Sequence, residues 1–239
     1  MKRIKFIFLT TLLLLGIGIK AFATWSIIVI DPKTKQIGIA GASCTNSVYG
    51  IGAIIPGKGA IVVQAMSNNN AWRKGLEMIL ADASPDEILK AIRNPEYDPE
   101  HQQYAIITVK YWNTPLTYTG TGTTAFKGTL TEKGISVQGN TLTSDAEIKA
   151  VMDAAKMAKK KHLPIEDILM LALEAGAQHG GDKRCGDTKA SSAFLTVAKQ
   201  EDDRDNPYLN LIIYGKDKNS NAVVALRKKF NDWKKSARR

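Results

Sequence analysis

Residues 19–32 read IKAFATWSIIVIDP, and the stretch changes character once, between Ala23 and Thr24. Downstream, Trp25 to Ile30 is an alternating apolar run, and Gln36 to Ser43 is a second; the intervening DPKTK starts on an Asp-Pro turn, so the two read as a β-hairpin. Upstream, Met1-Lys2-Arg3 and Lys5 precede an apolar run from Phe6 to Ile19 that closes on Ala21-Phe22-Ala23. That is the basic, apolar, small-residue order of a secretory signal peptide. The apolar core is shorter than the roughly 18 to 20 residues of a membrane-spanning helix, so cleavage after Ala23 is expected. Residues 24–239 are then one exported domain, periplasmic or secreted.

The leader carries Lys2, Arg3, Lys5 and Lys20 and no acid, so its removal takes the formal charge from +10 to +6 (10 − 4). This mild excess is not a nucleic-acid signature. What remains is crowded into KMAKKKH (Lys156 to His162) and LRKKFNDWKKSARR (Leu226 to Arg239), where apolar residues recur at helical spacing. Solvated helix faces explain both runs, and weak contact with an anionic envelope surface is the sharper alternative. Cys44 and Cys185 are the only cysteines. An even pair in an exported chain reads as one disulfide.

IGAIIPGKGAIVVQAM supplies a second hairpin around Pro56-Gly57-Lys58-Gly59. NAWRKGLEMIL then sets Trp72, Leu76, Ile79 and Leu80 on one helical face, and SPDEILKAI opens with a capping box from Ser84 to Glu87 with Pro85 in the first turn. QYAIITVKYW, LTYTG and GISVQGN return to strand. Two helices follow, the first capped by Ser144 with Glu147 and the second stopped by Gly180-Gly181; then come two strands and a helix marked by Val223, Leu226, Phe230 and Trp233. Blocks of strands alternating with blocks of helices point to an α+β fold with antiparallel sheets, not a wound βαβ sheet.

Two motifs are excluded by context. GAIIPGKG has the frame of a phosphate loop, but Gly59 stands where Ser or Thr should bind magnesium, and a strand-like run follows where a helix is required. GTGTTA (Gly120 to Ala125) imitates a dinucleotide fingerprint with no helix after it. No cofactor is expected. Nor is a metal, because His101, His162 and His179 are the only histidines and none stands at zinc-ligand spacing.

The scarcity of histidine returns attention to Thr24. A free N-terminal threonine carries its own base: an α-amino group with pKa of roughly 7.7 to 8.0 accepts the hydroxyl proton directly or through water. Inside a longer chain that nitrogen is an amide and cannot do so.

TWSIIVIDPKTKQIGIAGASC, GAIVVQAMSNNNAWRKGLEMI, GISVQGNTL and LEAGAQHGGDKR, in this order, resemble the domain-of-unknown-function family 1028, a group placed among the N-terminal nucleophile (Ntn) hydrolases. The resemblance covers nearly all of residues 24–239. It implies a four-layer αββα sandwich of two antiparallel sheets, with Thr24 as nucleophile and α-amino base attacking an amide or related acyl bond. By the same resemblance Asn140 of VQGN is the candidate oxyanion donor, against a role as a strand-closing turn residue. Asp182 of GGDKR is the candidate residue orienting Thr24, against simple pairing with Arg184. Asn68 and Asn69, with Gln64 on the preceding strand, are candidates to line a cleft for a small-molecule or peptide-like substrate, although helix capping would occupy at least one asparagine. A Cys44–Cys185 bond would tie the Gly-Gly-Asp loop to the nucleophile hairpin. Relatives commonly stack into dimers, which leaves a homodimer open. The competing reading is a non-catalytic exported binding or assembly protein. N-terminal sequencing and intact mass of the exported protein are expected to give a chain beginning at Thr24; any other terminus removes the self-contained base.

Overall fold

A computed structural model describes residues 24–215 and 220–237; the expected leader, residues 1–23, lies outside the described residues. The first hairpin pairs β1 (Thr24–Ile30) with β2 (Ile37–Ser43), antiparallel, with Thr24 opposite Ser43 and Ile30 opposite Ile37. Both strands are buried along their whole length, and this is why the alternation carries apolar residues on both sides. Trp25, Ile27 and Val29 face helices, whereas Ile28, Ile30, Ile37 and Ile39 face a second sheet.

β3 (Gly52–Ile55) and β4 (Gly59–Ala65) form the second hairpin, and the Gly-Lys-Gly sequence is its turn. Lys58 bonds the Leu80 carbonyl at 2.7 Å and Asp82 at 3.0 Å, well away from Thr24. With β5 (Gln102–Thr108) and β6 (Leu116–Thr119) this hairpin builds a four-stranded sheet in the order β3-β4-β5-β6. The other sheet has six strands, β10-β9-β2-β1-β8-β7, adding β7 (Gly128–Glu132), β8 (Ile135–Asn140), β9 (Ser192–Ala198) and β10 (Leu209–Ile213). All pairings are antiparallel. The sheets meet face to face, β3 over β2, β4 over β1 and β5 over β8.

Helices cover the outer faces. α1 (Asn69–Leu80) and α2 (Pro85–Ile92) lie on the four-stranded sheet. α3 (Ala146–Lys160), α4 (Ile165–Gln178) and α5 (Ala222–Ala237) lie on the six-stranded one. The box at α2 forms in full, Ser84 accepting from the Glu87 amide and the Glu87 carboxylate accepting from Ser84. On α1 the buried stripe is Ala71, Gly75, Leu76 and Ile79, while Leu80 is turned out to solvent. At α3 the expected box is absent: Asp145 holds the cap position without a side-chain bond, and Glu147 is drawn inward. Among the described residues no helix is long and apolar enough to cross a membrane.

α4 approaches β1 and β2 closely because two glycines leave room. A Cβ on Gly176 would lie 2.4 Å from Nε1 of the fully buried Trp25, and one on Gly38 would lie 2.5 Å from Leu169 Cδ1. Overpacking of this kind costs about 1–3 kcal/mol. Gly176→Ala is therefore expected to lower the denaturation midpoint by a corresponding amount, measured by urea unfolding, although alanine is the better helix former.

Candidate functional site

Thr24 opens β1 at one end of the sandwich, between Ser43 of β2 and Asn140 of β8, its partners in register. It is 2 % exposed and lines a cleft of about 330 Å³ with Ser43, Thr45, Ser47, Tyr49, Ser67 and Asn69. The loop after β2 and the β4–α1 junction supply the walls. Hydroxyls share the wall with Val48, Ile51, Ala65 and Met66; Thr45 donates to Ser43 at 3.3 Å and lies 3.4 Å from the Ser192 hydroxyl.

Beneath Thr24 the two sheets are joined by amides. Ser26 donates to Gln64 Oε1 at 2.6 Å; the Gln64 NH2 donates to Gln103 Oε1 at 2.7 Å and to the Thr24 carbonyl at 3.4 Å. Gln138 donates to Ser26 at 2.6 Å and accepts from Ser136 at 2.9 Å. Gln103 completes the set with bonds to Thr119 Oγ1 and to the Gly128 and Gly139 carbonyls. Asn140 joins this network, its Nδ2 donating to Gln103 Oε1 at 3.4 Å. It is 1 % exposed and stands beside Thr24 without being part of the cleft lining.

The segment after Gly181 crosses the end of β1 as a strap. On the β8 side Asp182 bridges Leu142, and the Lys183 amide donates to the Thr141 carbonyl at 3.2 Å. On the β2 side the Cys44 amide donates to Asp182 Oδ2, and Cys44 and Cys185 form a disulfide. Both anchor points lie immediately past the partners of Thr24. Asp182 is fully buried and accepts from the Arg184 backbone at 3.0 Å and from its guanidinium at 2.7 and 3.1 Å. Its bonds therefore hold the strap and Arg184, and through Cys44 they fix the strand end beside Thr24.

A family model described as a family of unknown function, DUF1028, matches residues 24–223. The chain belongs to the DUF1028 family. The fold is similar to a crystal structure of a DUF1028 protein, SPO2555 from Silicibacter pomeroyi, with a TM-score of 0.73 and 22% identity over 88% of this chain and 85% of that one. No curated protein matches the chain.

Of the candidate residues in this DUF1028 chain, the structure brings Thr24 and Asn69 to one cleft and sets Asn140 at its edge. Asn68 is occupied elsewhere. It caps α1 by accepting from the Asn70 and Ala71 amides, and its Nδ2 donates to the Tyr97 carbonyl at 3.2 Å. Gln64 lies under the cleft, fully buried. His179 closes α4 with its Nδ1 2.9 Å from the Ala175 carbonyl. Among the described residues no group of His, Cys, Asp and Glu is arranged to hold a metal ion. The hydroxyl wall of Ser43, Thr45, Ser47 and Ser67 was not singled out by sequence; its signal is a strand ending in polar residues on the same parity as Ile37 and Ile39.

Glu147 is the residue that sequence misplaced most. Its carboxyl is fully buried without a hydrogen bond of normal geometry; the Thr143 and Gly181 amides that face it are bonded to the Gly181 and Gly176 carbonyls, both at 3.2 Å, and only partly offset its burial. Burial, with the Asp182 charge adding to it, raises the carboxyl from the usual 4.5 to about 8. Between those values the unfolded chain is ionised at this position and the folded chain holds the proton, so stability falls as pH rises from about 4.5 to 8. Glu147→Gln should flatten that slope, gaining stability over the parent at pH 8 and changing little near pH 4; chemical denaturation across this range measures it.

Proposed function

We propose that this DUF1028 protein is an exported hydrolase of the N-terminal nucleophile type, that its two sheets and outer helices are the αββα sandwich of that superfamily, and that it cleaves an amide or related acyl bond through Thr24. The observation that carries the reading is the placement of Thr24: first residue of a central strand, on the wall of a cleft between the sheets, held by partners on both sides. The family match also begins at this residue.

Removal of the leader after Ala23 converts the Thr24 amide into an amine. The amine takes the Oγ proton as Oγ attacks the acyl carbon; the tetrahedral oxyanion collapses, and the leaving amine departs with that proton. Water then hydrolyses the ester on Thr24 by the same acid–base route and restores the hydroxyl. Asn140 has a second amide hydrogen beyond the one given to Gln103, and it supplies an uncharged donor to the oxyanion. Asp182 positions Thr24 indirectly, through the strap and Cys44. Backbone strain gathers here too: Ala65 (φ 66°) lines the cleft and Thr141 (φ 53°) follows Asn140, each in the left-handed region that disfavours side chains.

A β-lactone probe is expected to add covalently to mature protein at Thr24, located by peptide mass mapping. Thr24→Ala should abolish the adduct, and so should one extra residue before Thr24; a protein that only binds would tolerate that extension. Labelling that survives Thr24→Ala excludes the mechanism.

A further inference from the structure

The two sheets differ in width. The four-stranded sheet ends at β3, which lies over β2, so the inner face of β9 and β10 extends past its edge. Under this overhang lies a second cavity of about 250 Å³, lined by Tyr49, Trp72 and Phe194 with Gly52 of β3, Arg204 and Asp205. Tyr49 and Gly50 line this cavity and the Thr24 cleft alike. Tyr49 is held edge-on to Phe194 at 5.7 Å, and its hydroxyl accepts from Asn210 at 3.1 Å, so a braced side chain stands where the two spaces adjoin. Small-molecule sites span about 300–1,000 Å³; each cavity alone sits near or below the bottom of that range, and the pair falls inside it.

Their chemistry differs. The Thr24 cleft is lined by hydroxyls, the Asn69 amide and the apolar Val48, Ile51 and Met66, with no acid; the Arg184 guanidinium lies 3.5 Å from the Ser43 hydroxyl, and the mature terminus adds the α-amine of Thr24. A cationic acyl group there would lose water without gaining a counter-charge. The overhang pocket is aromatic, and Arg204 lies 5.7 Å from the centroid of the Trp72 ring, a setting that accepts a flat π-system.

We infer that the substrate bridges both cavities: a hydrogen-bonding acyl part without positive charge at Thr24, and a planar aromatic amine, which leaves, in the pocket lined by Tyr49 and Trp72. The inference rests on the hydrolase reading above and adds the substrate class. Mature Thr24→Ala protein, titrated with the 7-amino-4-methylcoumarin amide of N-acetylserine, is expected to bind it saturably. Trp72→Ala should weaken that binding at least tenfold and Trp72→Phe should restore it; Tyr49→Ala, at an exposed position, gives the same loss should the Trp72 variant fail to fold. The matching lysyl amide should bind at least tenfold more weakly than the seryl one. Equal affinity in the Trp72 and Tyr49 variants, or equal affinity for the lysyl amide, overturns the inference. Lactone labelling of Thr24 without arylamide binding overturns it alone; absence of labelling on the parent overturns the hydrolase reading and this inference together.

Discussion

Gln64 is the side chain on which the rest of the arrangement depends. It stands on β4 of one sheet and reaches Ser26 and the Thr24 carbonyl on β1 of the other, while pairing with its cross-strand neighbour Gln103. Apolar side chains between sheets set spacing but tolerate sliding; hydrogen bonds between buried amides do not, because a slip of one residue leaves donors without acceptors. Every polar atom of Gln64 has a partner, and so does its neighbour Ser26, which accepts from Gln138 as it donates to Gln64. A network satisfied to this extent fixes one register of sheet on sheet. The position of Thr24 is a consequence of that register.

The strap acts on the same end from outside. Its anion, Asp182, is buried yet matched by a forked guanidinium and two backbone amides, those of Cys44 and Arg184, the geometry in which a buried ion pair is tolerated. The disulfide closes a separation of 141 residues, so it restrains the unfolded chain as well as the loop. Glu147 shows the other side of this arrangement. A second carboxylate beside Asp182 with no cation of its own is kept protonated, and the strap thereby avoids two adjacent buried charges.

The hairpins, the helix blocks and the α2 capping box were legible in sequence because their signals are local: alternation, turn residues, and a cap three residues from its partner. β7 was not. GTLTE lacks apolar alternation because an edge strand with an exposed outer face needs none. Leu80 read as core because periodicity alone extends a stripe past the point where the helix leaves the sheet. Within the site, the place of Thr24 at the head of the first hairpin and the cysteine pair were legible because a change of character at the start of the strand and a residue count announce them. The amide network was not, since glutamine on a strand ordinarily marks the solvent face; only the second sheet, placed by distant residues, turns Gln64 and Gln103 inward. Asn68 and Asn69 show the same limit at finer scale. Neighbours of one type in one run diverge, one capping a helix and the other facing the cleft, once the first turn of α1 sets their directions.

The space between the sheets is graded along its length. At one end β1, β2 and β5 meet through Ile28, Ile30, Ile37, Ile39 and Ile107. At the other the same strands, with β4 and β8, present Ser26, Ser43, Gln103, Gln64 and Gln138, all buried, together with the left-handed Ala65 and Thr141. Buried amides and strained residues contribute less to stability than isoleucines of similar volume would. Their concentration at one end means that the isoleucine end carries the cohesion between the two sheets, while Trp25 anchors the Thr24 end from the helix side. The polar end can then be shaped by hydrogen-bond geometry instead of by the need to exclude water, and that end is where the chain places Thr24.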